Sequence, residues 1–205
     1  MSTVKTPTRT VTEAAHARVS IRKYTDRKLS RQEIDEILDV AGKAPSPWNI
    51  QPWRVIVVTD EAKKQELMAA AFGQPQVGAA AAVFVVTSDM TDALAHAEDF
   101  VHPGMADRKS AVADDIRGTF AKKSEEERQN WGFAETNIML GYLLLAIQEK
   151  GLGSSPMLGF DPGKVRSLLG LADHVTIPAL VALGEPAEDG FPQFRHELSR
   201  WVTYI

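Results

Sequence analysis

Ala44-Pro45-Ser46-Pro47-Trp48-Asn49-Ile50-Gln51-Pro52-Trp53 lies between an amphipathic helical pattern and a strongly apolar run, and it is too rich in proline to be either. Each proline fixes φ near about −65° and pushes the residue before it toward extended geometry. The backbone is therefore stiff, and it presents Ser46, Asn49 and Gln51 beside two indoles. A rigid loop carrying amides, a hydroxyl and aromatic rings suits a flat heteroaromatic ligand with a hydrogen-bonding edge. A connector whose tryptophans plug the core fits the same residues.

Upstream, Ser30-Arg31-Gln32-Glu33 is a capping box, and Ile34, Ile37, Leu38 and Ala41 mark one apolar helical face through Lys43. Downstream, Val55-Ile56-Val57-Val58 is continuous rather than alternating, which predicts a strand buried on both faces. Asp60 can cap a helix that carries Leu67, Met68 and Phe72 and stops at Gly73. Gln74-Pro75-Gln76-Val77 then leads into a second buried strand, about Ala82 to Thr87.

Before the first capping box, residues 1–11 are polar and are expected to be flexible. A short helix from Thr12 to about Ala17, with Thr12 as N-cap, runs into Arg18-Val19-Ser20-Ile21-Arg22. In an extended segment Arg18, Ser20 and Arg22 share one face. Two guanidiniums and a hydroxyl there make a phosphate cradle, because arginine offers a planar fork to paired oxygens. A solvated charged edge has the same composition.

From Ser88 to about Ser124 the pattern weakens into a mobile helical excursion of the kind that often forms a lid, with an amphipathic piece near Val112 to Phe120. A second capping box, Ser124-Glu125-Glu126-Glu127, opens the longest helix, which reaches Lys150. Ile138 to Ile147 is apolar nearly all round, so that helix is either central or part of a subunit interface. Gly151 to Asp161 is glycine-rich without a GxGxxG spacing or a preceding strand, so a Rossmann dinucleotide site is unsupported. Asp161-Pro162 starts a helix that ends at Leu169-Gly170, and Ile177 to Leu183 is a third strand. The aromatic tail, Ala187–Ile205, is expected to wrap another subunit.

At 205 residues, with 44% hydrophobic and 24% charged residues, the chain fits one domain, here residues 12–205. A net charge of −4 provides no basic field for nucleic acid or an anionic membrane. With no cysteine, disulfides, thiolate metal sites and thiol catalysis are excluded, and a reducing cytoplasm is the expected compartment. The five histidines show no metal-ligand spacing, and no serine sits on a nucleophile elbow. If the chain is an enzyme, a cofactor carries its chemistry. The mixture of strands and longer helices does not alternate regularly, which favours α+β.

Taken together, the motifs resemble the FMN-dependent nitroreductase family. The resemblance rests on Arg18-x-Ser20-x-Arg22, Ala44-Pro45-Ser46-x-x-Asn49-x-Gln51-Pro52-Trp53 and Gln74-Pro75-Gln76-Val77. It continues in Gly151-Leu152-Gly153, Pro156-Met157-Leu158-Gly159-Phe160-Asp161, Pro178 with Gly184, and Arg195. It implies a three-layer α/β/α fold of the α+β class. Its central sheet would be mixed, mainly antiparallel, and completed by the partner subunit's C-terminal tail. It also implies a homodimer with two FMN sites at the interface, NADH or NADPH as donor, and a nitroaromatic or quinone acceptor.

By the same resemblance Arg18 and Arg195 hold the flavin phosphate with Val19 and Ser20 beside them, and Arg22 lies at the pyrimidine edge of the ring. Gln74, with Gln76 as the alternative, bonds that edge. Pro45, Ser46, Pro47 and Asn49 come from the other subunit, backbone groups of Leu158 and Gly159 lie over N5, and Pro156 and Met157 also contact the cofactor. Gln193 stands where some members carry a second basic residue, so one phosphate contact is expected to be weaker. Flavin destruction, reductive dehalogenation and FMN binding without turnover remain as alternatives.

Overall fold

The computed structural model describes residues 9–205. The expectation for residues 1–8 lies outside the described residues. Helix α1 spans Val11–Ala17, and its N-cap is Thr10 rather than Thr12: Thr10 and Glu13 form a reciprocal capping box. Thr10 is the choice because Glu13, three residues on, can reach back to its N–H.

Helix α2 (Arg31–Ala41) is capped by Ser30 and Glu33 as its sequence predicts, and strand β1 (Trp53–Val58) follows the proline loop. Helix α3 (Glu61–Ala70) is capped by Asp60, and Pro75 opens a short helix α4 (Pro75–Ala79) that hydrophobic patterning does not reveal. Strand β2 (Ala82–Ser88) leads to helix α5 (Met90–Ala95), two 3₁₀ turns, and helix α6 (Lys109–Ala121). The 25-residue helix α7 (Glu125–Glu149) carries the second capping box. Strand β3 (Gly153–Met157), helix α8 (Pro162–Leu169) and strand β4 (Thr176–Gly184) complete the domain.

The four strands form one sheet in the order β1-β2-β4-β3, every neighbouring pair antiparallel. Ser20 and Ser154 add an isolated parallel bridge at its edge. Phe84, Val86, Val181 and Leu183 pack on α2 and α7, while Val83, Val85, Leu180 and Ala182 pack on α3, α4 and α8. Both faces are therefore covered by helices, which makes three layers. No helix among the described residues is long and apolar enough to cross a membrane.

Two strand expectations change. Val55, Ile56 and Val57 are only half-buried, because β1 is an edge strand and apolar continuity does not report sheet order. The glycine-rich stretch after α7 does contain a strand, β3, hidden by the low β-propensity of Gly-Ser-Ser-Pro. Pro156 is tolerated there because β3 is the opposite edge.

The weakly patterned excursion is packed. Ile50, Met90, Ala93, Ile116 and Phe120 form a separate buried cluster, flanked by Trp131 of α7. α7 approaches the end of β2 at Gly132, where a Cβ would stand 2.4 Å from Met90 Cγ and 2.7 Å from Ser88 Oγ. Gly132→Val is therefore expected to destabilise the fold by about 1–3 kcal/mol through overpacking. A denaturant midpoint that does not move would contradict this close crossing.

Candidate functional site

The first arginine motif is held by the segment that follows β4. Thr25 N–H donates to Glu185 O at 3.0 Å, and Ala187 N–H donates to Lys23 O at 3.0 Å. Tyr24 and Pro186 form an antiparallel bridge, and Arg22 N–H donates to Glu188 Oε1 at 2.7 Å. Gly190, at φ 70°, passes so close that a Cβ would lie 2.9 Å from Val19 Cγ2. The Tyr24 hydroxyl sits 2.7 Å from Ile21 O, and burial, then the Glu188 carboxylate, raises its pKa. The first half of the tail thus runs along its own chain, which corrects the expectation that the whole tail wraps a partner. The pairing is long-range and leaves no periodic signal in the sequence.

This pairing brings Arg195 near enough for its charge to act on Arg18. Burial lowers the pKa of Arg18, and the nearby positive charge of Arg195 lowers it further. Among the described residues no carboxylate forms a salt bridge with Arg18, Arg22 or Arg195. Two neighbouring guanidiniums with no acid between them repel each other, and an anion removes that cost.

The same segment adjoins β3. Ile21 N–H donates to Ser154 O at 3.0 Å, and Gly153 lets Ile21 pack where a Cβ would stand 2.7 Å from Ile21 Cγ1. Beyond Arg22 lies a cavity of about 650 Å³ lined by Arg22, Lys23, Tyr24, Gln74, Gln76 and their neighbours. Gln74 Nε2 donates to Gly159 O at 2.6 Å, and Gln76 Nε2 lies 3.1 Å from Gln74 Oε1 and 3.3 Å from Met157 Sδ. Gln76 is buried and Gln74 half-buried, so Gln74 is the one that faces the opening. Pro156 and Met157 end β3, and Leu158, just beyond, is 75% exposed.

The sequence model of the Nitroreductase family matches residues 15–185. The chain belongs to this family. It is 48% identical over 192 residues to a protein of Thermus thermophilus named NADH dehydrogenase, covering 93% of this chain and 94% of that one. It is 26% identical to a Bacillus subtilis protein named as an NAD(P)H nitroreductase, YodC, covering 92% and 96%. Among solved structures, a protein of Exiguobacterium sibiricum described as a nitroreductase in complex with FMN superposes with a TM-score of 0.88. It is 26% identical, and the match covers 98% of this chain and 100% of that one.

Within this nitroreductase-family chain, the side chains of the proline loop bond within the loop and to the excursion. Ser46 Oγ accepts from Gln51 N–H at 3.1 Å, and Asn49 Nδ2 donates to Phe100 O at 3.2 Å. Trp48, Asn49 and Gln51 hold positive φ values of 54°, 59° and 45°. Such backbone costs about 1–3 kcal/mol per residue and persists where its surroundings over-determine it. Here the prolines and the excursion do so: Trp48 lies against Phe120 and Trp131, with ring centroids at 5.8 and 6.1 Å. Pro45 and Pro47 flank Ser46 at the outer side of the loop, and Trp48 is 51% exposed.

The tail residues Glu188, Gly190 and Gln193 shape the arginine motif, and sequence reading assigns none of them that role. In the sequence Gln193 stands out only as a missing cation, and the amide it places against the main chain near Arg18 becomes visible only once the pairing is known.

Proposed function

We propose that this chain is an FMN-dependent NAD(P)H oxidoreductase acting as a cytoplasmic homodimer, with nitroaromatics or quinones as acceptors. The observation that carries this reading is that Arg18 and Arg195, near enough for one charge to act on the other, form no salt bridge with a carboxylate among the described residues, which suits the dianionic phosphate of a flavin mononucleotide. Bound there, FMN would supply a flavin N5 able to accept hydride from the nicotinamide and to pass two electrons to the acceptor, a ping-pong exchange.

The protein's own groups bind and orient. Arg18, Arg195 and Ser20 hold the phosphate. Arg22, which lines the cavity that Gln74 also lines, would place a cation at the pyrimidine edge, where reduction leaves negative charge. Gln74, which now donates to Gly159 O, would turn to that edge, and Leu158 and Gly159 would help hold the ring.

The dimer reading is supported by unpartnered apolar surface. Phe133, Ile138 and Tyr142 are exposed along one face of α7, with Ala134 and Gly141 leaving room for a second helix. A groove of about 620 Å³ beside β1 mixes apolar Leu38, Val55 and Val57 with charged Lys28, Arg31 and Asp35. Trp201 and Tyr204 near the end of the tail are 70% and 91% exposed and suit that groove in a partner. In such a dimer the proline loop, with Pro45, Ser46, Pro47 and Asn49, reaches the partner's flavin, and the α5–α6 excursion behind it forms the lid that selects the acceptor.

Steady-state assays with NADH and NADPH against a quinone, a nitroarene and oxygen test the reading. Parallel-line kinetics with a quinone or nitroarene are expected. FMN-loaded protein that consumes neither nicotinamide would leave it a flavin-binding protein without turnover.

A further inference from the structure

The pairing between residues 15–25 and the tail keeps one register. Thr25 meets Glu185, Tyr24 meets Pro186, Lys23 meets Ala187, Arg22 meets Glu188, and Gly190 crosses Val19 and Ser20. Beyond Gly190 the tail continues to Arg195, whose positive charge reaches Arg18. Two like charges have no reason to stay there by themselves. The last tie before Arg195 is Gln193.

Both N–H groups of the Gln193 amide are used. Nε2 donates to Ala15 O at 2.8 Å and to Arg18 O at 2.6 Å. These are carbonyls at the C-terminal end of α1, which has no further turn to satisfy them. Both acceptors are carbonyls, so the amide nitrogen, not the oxygen, must face them. The side chain therefore spends its donors on the main chain of the arginine motif and keeps none for an anion. Arg195, two residues on, makes among the described residues only a local hydrogen bond, from Nη1 to Phe194 O at 2.8 Å.

We infer that Gln193 is a positioning residue: by capping the end of α1 it fixes the tail so that Arg195 stands beside Arg18, and it acts on a bound phosphate only through Arg195. The inference rests on the phosphate reading above and adds to it. Gln193 is then not a weakened copy of a basic ligand but a different device at the same position.

The test uses full-length protein stripped of flavin and titrated with FMN and with riboflavin, which lacks the phosphate. Gln193→Met keeps the shape and removes both donors. It is expected to weaken FMN about tenfold, as the removal of two hydrogen bonds implies, while riboflavin affinity stays within about twofold of wild type. Arg195→Ala should also weaken FMN alone, and the Gln193→Met/Arg195→Ala double variant should match Arg195→Ala, because the two act in series.

Additive effects in the double variant would make Gln193 an independent phosphate ligand and overturn the inference. Equal weakening of FMN and riboflavin in Gln193→Met would make it a general structural residue and overturn it too. Wild-type protein that does not prefer FMN over riboflavin would overturn the phosphate reading itself, an outcome visible without any variant.

Discussion

Protein carrying Arg18→Ala and Arg195→Ala together is expected to bind FMN about 10²- to 10⁴-fold more weakly than wild type. A hydrogen bond to a charged group contributes roughly 1.5–3 kcal/mol, and the removal of two such bonds gives that range. Riboflavin, with no phosphate, should be affected little. Wild-type FMN affinity should fall as salt rises, and that dependence should flatten in the variant. The apo protein adds an independent check. Arg195 lowers the pKa of Arg18, so in the absence of an anion the two cations oppose each other. Arg195→Ala by itself should therefore leave the apo melting temperature unchanged or higher, while removing the rise that FMN gives the wild type. A variant that keeps wild-type FMN affinity would place the phosphate elsewhere.

Subunit mixing gives the second large effect. Arg18 and Arg195 belong to one protomer, while Ser46 and Asn49 sit on a loop whose hydrogen bonds run to Gln51 and Phe100 instead. In the proposed dimer each flavin takes the arginines of one subunit and the proline loop of the other. A subunit with Arg18→Ala and Arg195→Ala, and another with Ser46→Ala and Asn49→Ala, should each bind FMN poorly as homodimers. In a mixed dimer one site collects all four defects and the other collects none, as two-fold symmetry requires. Differentially tagged subunits, co-expressed and purified through both tags, should then hold about one FMN per dimer. Mixed dimers with no tightly bound flavin would mean that both groups serve the same subunit's site.

What the sequence made legible was local chemistry. Ser30 with Glu33, Ser124 with Glu127, and Asp161 with Pro162 mark helix starts by side chains that satisfy nearby N–H groups, and all three stand in the structure. The run Ala82–Thr87 reads as a central strand because both of its faces are apolar, and it is buried throughout. What stayed hidden depends on partners far along the chain. β1 resembles a central strand in composition but lies at an edge, and β3 forms from Gly-Ser-Ser-Pro only because β4 offers a ladder. The candidate site divides in the same way. Arg18, Arg22, Gln74 and Arg195 are recognisable as motif residues. The amide of Gln193 and the bend at Gly190, which set those motif residues against one another, are not. Gln193 stands 175 residues along the chain from the Arg18 carbonyl it bonds, and Gly190 is comparably remote from the Val19 and Ser20 it crosses.

On the proposed function, FMN sits in this chain and passes electrons from a nicotinamide to the acceptor. Anaerobic titration of the purified holoprotein with NADH and with NADPH tests it most directly, with the flavin afterwards released and identified by chromatography. The flavin should be FMN, its yellow colour should bleach with one equivalent of at least one nicotinamide, and a quinone or nitroarene should restore it. A flavin identified as FAD, or an FMN that neither nicotinamide reduces, would contradict the account.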